Sequence, residues 1–265
     1  SNEQNGRRKQ FAEALFQRRQ RKGMTFTAAR SLLMHRSYFG AMMVATGHAD
    51  AMVSGLTRNY PDTVRPVLQV IDKQEGNNIA SGMYIVNTKR GPVFFADCTL
   101  NIDPTWEQLV EITLQTCQSV REFKIVPRVA LVSYSSFGSA NGKVPEKQRK
   151  AVEYLHKHHP DMIVDGEIQA NAALNPELLS ESFSFSRLLG GPANVLIFPN
   201  LESSNIAYKL LQELGGAEVI GPVLNGMKES VQILQLGSSV SEIVNMITIA
   251  VIDAQNKSEA RNKLI

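Results

Sequence analysis

Apolar residues recur at helical spacing in some stretches of the chain and as unbroken runs in others, and the two patterns alternate along its length. Trp106, Leu109, Val110, Leu114 and Cys117 fall on one helical face, with Asp103 expected as N-cap and Pro104 at the first helical position. "RRKQFAEALFQRRQRKGMT" predicts an amphipathic helix with a basic last turn (Arg18, Arg19, Arg21, Lys22), stopped by Gly23. A second helix is expected over Thr27 to Thr46, with Ala28, Leu32, Leu33 and Met43 on its apolar stripe. The last helix is expected to turn Val240, Ile243, Val244, Ile247, Val251 and Ala254 inward. Met246, Ile249 and Ile252 then remain as surplus apolar surface, which predicts a homodimer or higher homo-oligomer through this region.

Between the helices lie β-runs. "IASGMYIVNT" and "PVFFADCTL" form a hairpin through Lys89-Arg90-Gly91. Buried strands are expected at Ala51 to Val53 and within "RVALVSYSS", "DMIVDGE", "ANVLIF" and "AEVIGPVLNG". Strands alternating with helices predict an α/β fold with mainly parallel sheets covered on both faces. The polar run Lys73 to Asn78 marks a hinge. Ligands in such sheets bind beyond the carboxyl ends of strands. That singles out Ser54-Gly55, Pro199-Asn200 and Gly237-Ser238-Ser239.

Composition narrows the function. The 265 residues are 43% hydrophobic, enough for one large domain or two smaller ones. A net charge of +3 argues against nucleic acid and for a local basic cluster that binds an anion. Two cysteines, Cys98 and Cys117, argue against a disulfide framework and for a reducing cytoplasm. No apolar run approaches membrane-spanning length, and the basic N-terminus has no signal-peptide core. Ser1-Asn2 reads as a cloning scar, so the chain is expected to be a piece of a longer polypeptide.

The Gly237-Ser238-Ser239 loop looks built to hold an anion, because glycine permits close backbone approach and free N–H groups open the helix. Ser239 and Glu242 also match a capping box, and the two readings stand level. The basic turn by itself reads as a solvated helix end. Arg65, between a polar loop and Pro66, suits either a phosphate contact or an ion pair with Asp62 or Asp50. His156, His158 and His159 cannot share one helix face and read as a solvated terminus, so no metal site is expected. GxSxG, Walker and HExxH motifs are absent from the sequence.

"ADAMVSGLTRNYPDTVRPVLQVI", "VDGEIQANAAL", "ANVLIFPNLESSNIAYKLL" and "GPVLNG" resemble the phosphotransacetylase family, the phosphate acetyl- and butyryltransferases. The resemblance implies a phosphotransacetylase-like, isocitrate dehydrogenase-like fold of two α/β subdomains with a ligand cleft between them. Residues 1–77 and 222–265 would form the first, lacking its N-terminal part, and 78–221 the inserted second. It further implies CoA and acyl phosphate as ligands. Arg19 and Arg65 match the family arginines that contact CoA or phosphate, with Ser54, Gly55, Asn200, Gly237, Ser238 and Ser239 around them.

Active members carry a Ser-Arg pair before this glycine and an acid near the helix start. Here Gln235 and Leu236 replace the pair, while Glu242 stands at the acid's position. Leucine cannot stabilise an oxyanion, and losing one such donor costs on the order of a hundred- to a thousandfold in rate. "LVSYSSFGSA", "NLESSNIAYKLL" and "VNMITIAVIDAQ" further resemble the C-terminal phosphotransacetylase-like domain of bacterial NADP-dependent malic enzymes. That resemblance implies a regulatory domain binding acetyl-CoA as allosteric effector, with NADP and divalent metal held only by an N-terminal malic enzyme module. The alternative is an active phosphate acyltransferase with Glu242 as base.

Overall fold

The computed structural model describes residues 2–263, so Ser1 of the expected scar lies outside them. The chain divides into two compact units, residues 1–76 with 227–265 and residues 77–226. The first junction falls within the polar run expected as a hinge. The second falls at Gly226 and not at 221, because the strand entering there continues to Asn225.

The first unit opens with α1 (Asn2–Arg19), which buries Phe11, Ala12 and Leu15. A 3-10 turn, Gln20–Lys22, follows and ends at Gly23 in the left-handed conformation. The single helix expected over Thr27 to Thr46 is two: α2 (Phe26–Leu32) and α3 (Arg36–Ala45). Thr25 caps α2 by accepting from Ala28 N at 3.2 Å. Its last turn tightens as Met34 N donates to Ser31 O and His35 N to Leu32 O, and His35 itself is extended. Beyond the break α3 buries Ser37, Tyr38, Ala41, Met42 and Val44, a broader face than one continuous stripe.

Strand β1 (Ala51–Ser54), helix α4 (Tyr60–Val70), strand β8 (Ser230–Ile233) and helix α10 (Val240–Asn262) complete this unit. β1 and β8 pair in parallel, Ser54 opposite Ile233, so both strands end side by side. Helix α10 packs on this pair with a face other than the expected one. Met246, Ile249 and Ala250 are buried, whereas Val240, Val244, Ile247 and Val251 are 46–79% exposed. Ser230 fixes the rotation, its Oγ donating to Ala250 O at 2.8 Å.

The second unit holds strands β2 (Ser81–Thr88), β3 (Gly91–Ala96), β4 (Arg128–Val132), β5 (Ile163–Ile168), β6 (Val195–Ile197) and β7 (Glu218–Asn225). They form one sheet in the order β5-β4-β6-β3-β2-β7, in which β2 alone runs against the others. The Lys89-Arg90-Gly91 hairpin causes that reversal and makes the sheet mixed. Helix α5 (Trp106–Glu122) starts two residues later than expected, because Thr105 and Gln108 form a capping box. Asp103, expected as the cap, pairs with Lys147 instead. Helices α6 (Lys143–His158) and α9 (Leu201–Gly215) also flank the sheet, and short helices α7 (Ala170–Leu174) and α8 (Pro176–Ser182) sit between β5 and β6. Tyr84, Phe95, Ala130, Ile168 and Leu196 anchor one core cluster. Among the described residues, no helix is long and apolar enough to cross a membrane.

The α10 orientation is checked by denaturation. Met246→Ala should cost about 2–5 kcal/mol of stability, while Val244→Ser and Ile247→Ser should each stay within about 0.5 kcal/mol. In the loop from β1 to α4, a Cβ on Gly55 would lie 2.3 Å from Leu234 O, at φ +128°. Gly55→Ala should therefore cost more than about 2 kcal/mol, read as a lowered urea midpoint.

Candidate functional site

The carboxyl ends of β1 and β8 carry two of the loops singled out by sequence, and one hydrogen bond ties them together. Leu234 N donates to Ser54 O at 2.7 Å. Gly55 follows at a backbone angle that disfavours any side chain, its Cα pressed against the Leu234 backbone. The chain then closes a turn, Arg58 N donating to Gly55 O at 2.9 Å, before Asn59 and Pro61 open α4.

These elements line a cavity of about 640 Å³ within the first unit. Its polar wall holds Arg58, Arg65, His35, Ser37, Tyr38, Thr57, Asn59 and Asp62; Leu32, Pro66 and Leu236 form the apolar part. Among the described residues, Arg65 pairs with neither Asp62 nor Asp50, the ion-pair alternative open in the sequence. Arg19, at the end of α1, is half-buried, and its Nε has no hydrogen-bond partner among them.

Tyr38 ties the two expected arginines to one place. Its phenol lies within electrostatic reach of both Arg65 and Arg19, which favour ionisation. Burial outweighs them and raises its pKa above the ordinary value, so the hydroxyl stays protonated and donates to Gln69 Oε1. The arginines therefore keep their positive charge uncompensated by this neighbour.

The Gly237 loop is largely satisfied from within. Gly237 is left-handed at φ +79°. Ser239 Oγ accepts from Glu242 N at 3.2 Å and Glu242 Oε2 from Ser239 N at 2.6 Å, a complete capping box. Ser238 Oγ donates to Gln235 O at 3.0 Å. Gln235 is exposed, and Leu236, at 64% exposure, brings a hydrocarbon face to the cavity. Asn200 belongs to the second unit, where its side chain caps α9 by accepting from Ser203 N at 2.9 Å.

Reading the sequence missed Arg58, His35 and Tyr38. The available signal was the segment Thr57-Arg58-Asn59, directly after the Ser54-Gly55 loop that it did single out.

Other titratable clusters have structural explanations. Glu167, fully buried, accepts from Ser135 Oγ, Gly138 N and Arg149 Nη1. Asp97 accepts from the backbone N–H groups of Gly82, Thr99 and Asn101. His156 Nε2 meets Val164 O at 2.8 Å, and His158 stacks on Tyr154. Cys98 and Cys117 are buried free thiols, and burial pushes the Cys117 pKa up to about 12. Neither is a nucleophile in that state.

Comparison with known proteins identifies the lineage. The family model described as phosphate acetyl/butaryl transferase matches residues 1–251. A phosphate acetyltransferase of Clostridium acetobutylicum is 36% identical over 252 residues, covering 92% of this chain and 75% of that protein. The crystal structure of a phosphotransacetylase from Streptococcus pyogenes superposes with a TM-score of 0.86 at 38% identity, covering 94% of this chain and 75% of that one. An NADP-dependent malic enzyme of Rhizobium meliloti is 40% identical over 245 residues, covering 92% of this chain but 32% of that protein.

These findings correct the expectation of a malic enzyme regulatory domain with acetyl-CoA as allosteric effector. The region shared with the malic enzyme is the one that the transferase family model describes, and phosphate acetyltransferases match it over the same extent. The expected N-terminal malic enzyme module as partner, and the oxidoreductase and NADP chemistry that came with it, are withdrawn on the same ground. By the family model and by these relatives, the chain belongs to the phosphate acetyl/butaryl transferase family.

Proposed function

We propose that the chain transfers an acyl group between an acyl phosphate and the thiol of CoA. CoA or an acyl-CoA as ligand is consistent with the family. The observation that carries the reading is the cavity at the ends of β1 and β8, where Arg65 stands without an ion-pair partner among the described residues. Arg19, like Arg65, lies within electrostatic reach of Tyr38. A guanidinium fork engages two phosphate oxygens at once, which suits the phosphoryl end of the substrate.

In the forward step the CoA sulfur attacks the acyl carbon. The S–C bond forms, the C–O bond to phosphorus breaks, and inorganic phosphate leaves with the electron pair. The thiol proton needs an acceptor, and Glu242 is the carboxylate on the Gly237 loop's helix. Its Oε2 is held by Ser239 N, which orients the carboxylate and leaves Oε1 as the oxygen outside that bond. Leu236 contributes no donor, so stabilisation of developing charge falls on the arginines and backbone N–H groups.

The test is thiol consumption with acetyl phosphate and CoA, followed by a chromophoric thiol reagent. Wild type should consume thiol and release phosphate in equal amounts. Arg65→Ala should lower kcat/KM about ten- to a hundredfold, the loss expected for one charge-assisted contact of about 1.5–3 kcal/mol. Leu236→Arg, which adds a donor at the cavity, should raise kcat on the order of a hundredfold. Absence of turnover by wild type with both acetyl and butyryl phosphate would refute the reading.

A further inference from the structure

The cavity holds a second arginine that neither the sequence pattern nor the proposed transfer step assigns. Arg58 closes the turn after β1, its backbone N–H held by Gly55 O at 2.9 Å. That turn is anchored in place by the close approach of Gly55 to Leu234. Its guanidinium lines the same cavity as that of Arg65. Among the described residues it makes no side-chain hydrogen bond and no ion pair, so all five of its N–H donors are available.

Two guanidinium groups facing one cavity repel each other. Asp62 is the one carboxylate on the lining, and it bonds to neither. A doubly charged anion between the two removes the repulsion and fills both forks. A singly charged carboxylate would neutralise half of it. Leu32, Pro66 and Leu236 supply the apolar part of the lining. The apolar wall also gives a hydrocarbon tail on the anion somewhere to pack.

We propose that Arg58 and Arg65 form a two-arginine clamp for a phosphoryl dianion, with Arg58 supplying the second cation of the cavity lining. The choice of ligand, the phosphoryl end of an acyl phosphate or free inorganic phosphate, rests on the acyltransferase reading above. The clamp itself is a statement about binding. It holds for the resting protein whether or not the bound anion turns over.

Equilibrium titration calorimetry separates the two claims. Acetyl phosphate, inorganic phosphate and CoA are titrated separately into wild type, Arg58→Ala and Arg58→Lys. Arg58→Ala should weaken acetyl phosphate and inorganic phosphate by tenfold or more each, and leave CoA within about twofold. Arg58→Lys keeps the charge but not the fork, so it should recover only part of that loss. Both variants alter an exposed side chain, and their melting temperatures should match wild type. Unchanged phosphate affinity in Arg58→Ala overturns the clamp. So does a loss confined to CoA, which would assign Arg58 to the nucleotide. Phosphate binding that depends on Arg58, in a protein without acyl transfer, would refute the proposed reaction and leave the clamp standing.

Discussion

The backbone hydrogen bond from Leu234 N to Ser54 O is the constraint on which the site depends. It extends the β1–β8 pairing one residue past the strands and forces the two following loops to leave from one point. The approach is so close that position 55 has no room for a Cβ. The parts of the cavity wall that follow β1 and β8 are placed from there. The turn that ends at Arg58 starts at Gly55, α4 carries Arg65 beyond it, and Leu236 lies two residues after Leu234. Two segments almost two hundred residues apart in sequence thus contribute to one cavity, and the glycine at position 55 permits their close approach.

Charge is handled differently here from elsewhere in the molecule. Glu167 is buried, but it is met by a serine, a backbone N–H and Arg149. Arg128, partly buried, spends its guanidinium on the carbonyls of Leu188, Gly191 and Pro192. Glu167 Oε1 and the Arg128 guanidinium are met in this way because a buried polar atom without a partner is costly, while Glu167 Oε2 is left without a hydrogen bond among the described residues. Arg58 and Arg65 lack such partners among the described residues while sharing one wall. Tyr38, within electrostatic reach of Arg65 and Arg19, is a neutral phenol whose burial raises its pKa further. The neutral phenol lets the positive potential persist in the cavity. An ionised phenol would consume it.

How far the sequence disclosed this structure depends on whether the deciding signal was local. The hairpin at Lys89-Arg90-Gly91 and the capping box of Ser239 and Glu242 are set by neighbours a few residues apart, and both were legible. The rotation of α10 was not. Apolar residues occupy two of its stripes, and periodicity alone does not choose between them. The contact from Ser230 Oγ to Ala250 O, between distant segments, turns Met246 inward and leaves Val244 and Ile247 in solvent. The break between α2 and α3 carries no proline or glycine, so nothing nearby announced it. At the site, Arg65 stood out through its place before Pro66. Arg58 looked like any solvated loop arginine until the β1–β8 pairing put it on the same wall.

The same distinction bears on what Leu236 means. Read along the chain, a leucine before Gly237 removes a donor from the loop, and the loop's remaining polar groups are spent on each other. Read across the fold, Leu236 faces a cavity that already contains two arginines from a different segment. A third guanidinium in the same volume would add to their repulsion, and Asp62 alone could not offset it. A hydrocarbon side chain there instead adds no charge to the two already present. For binding a dianion, Leu236 is therefore compatible with the Arg58 and Arg65 pair. For stabilising charge on an attacked carbonyl they are not equivalent to a donor in the loop, because that charge develops at the acyl carbon's oxygen and not on the phosphoryl group. The substitution thus acts on two quantities with opposite sign, favouring retention of the anion and weakening support for its transfer.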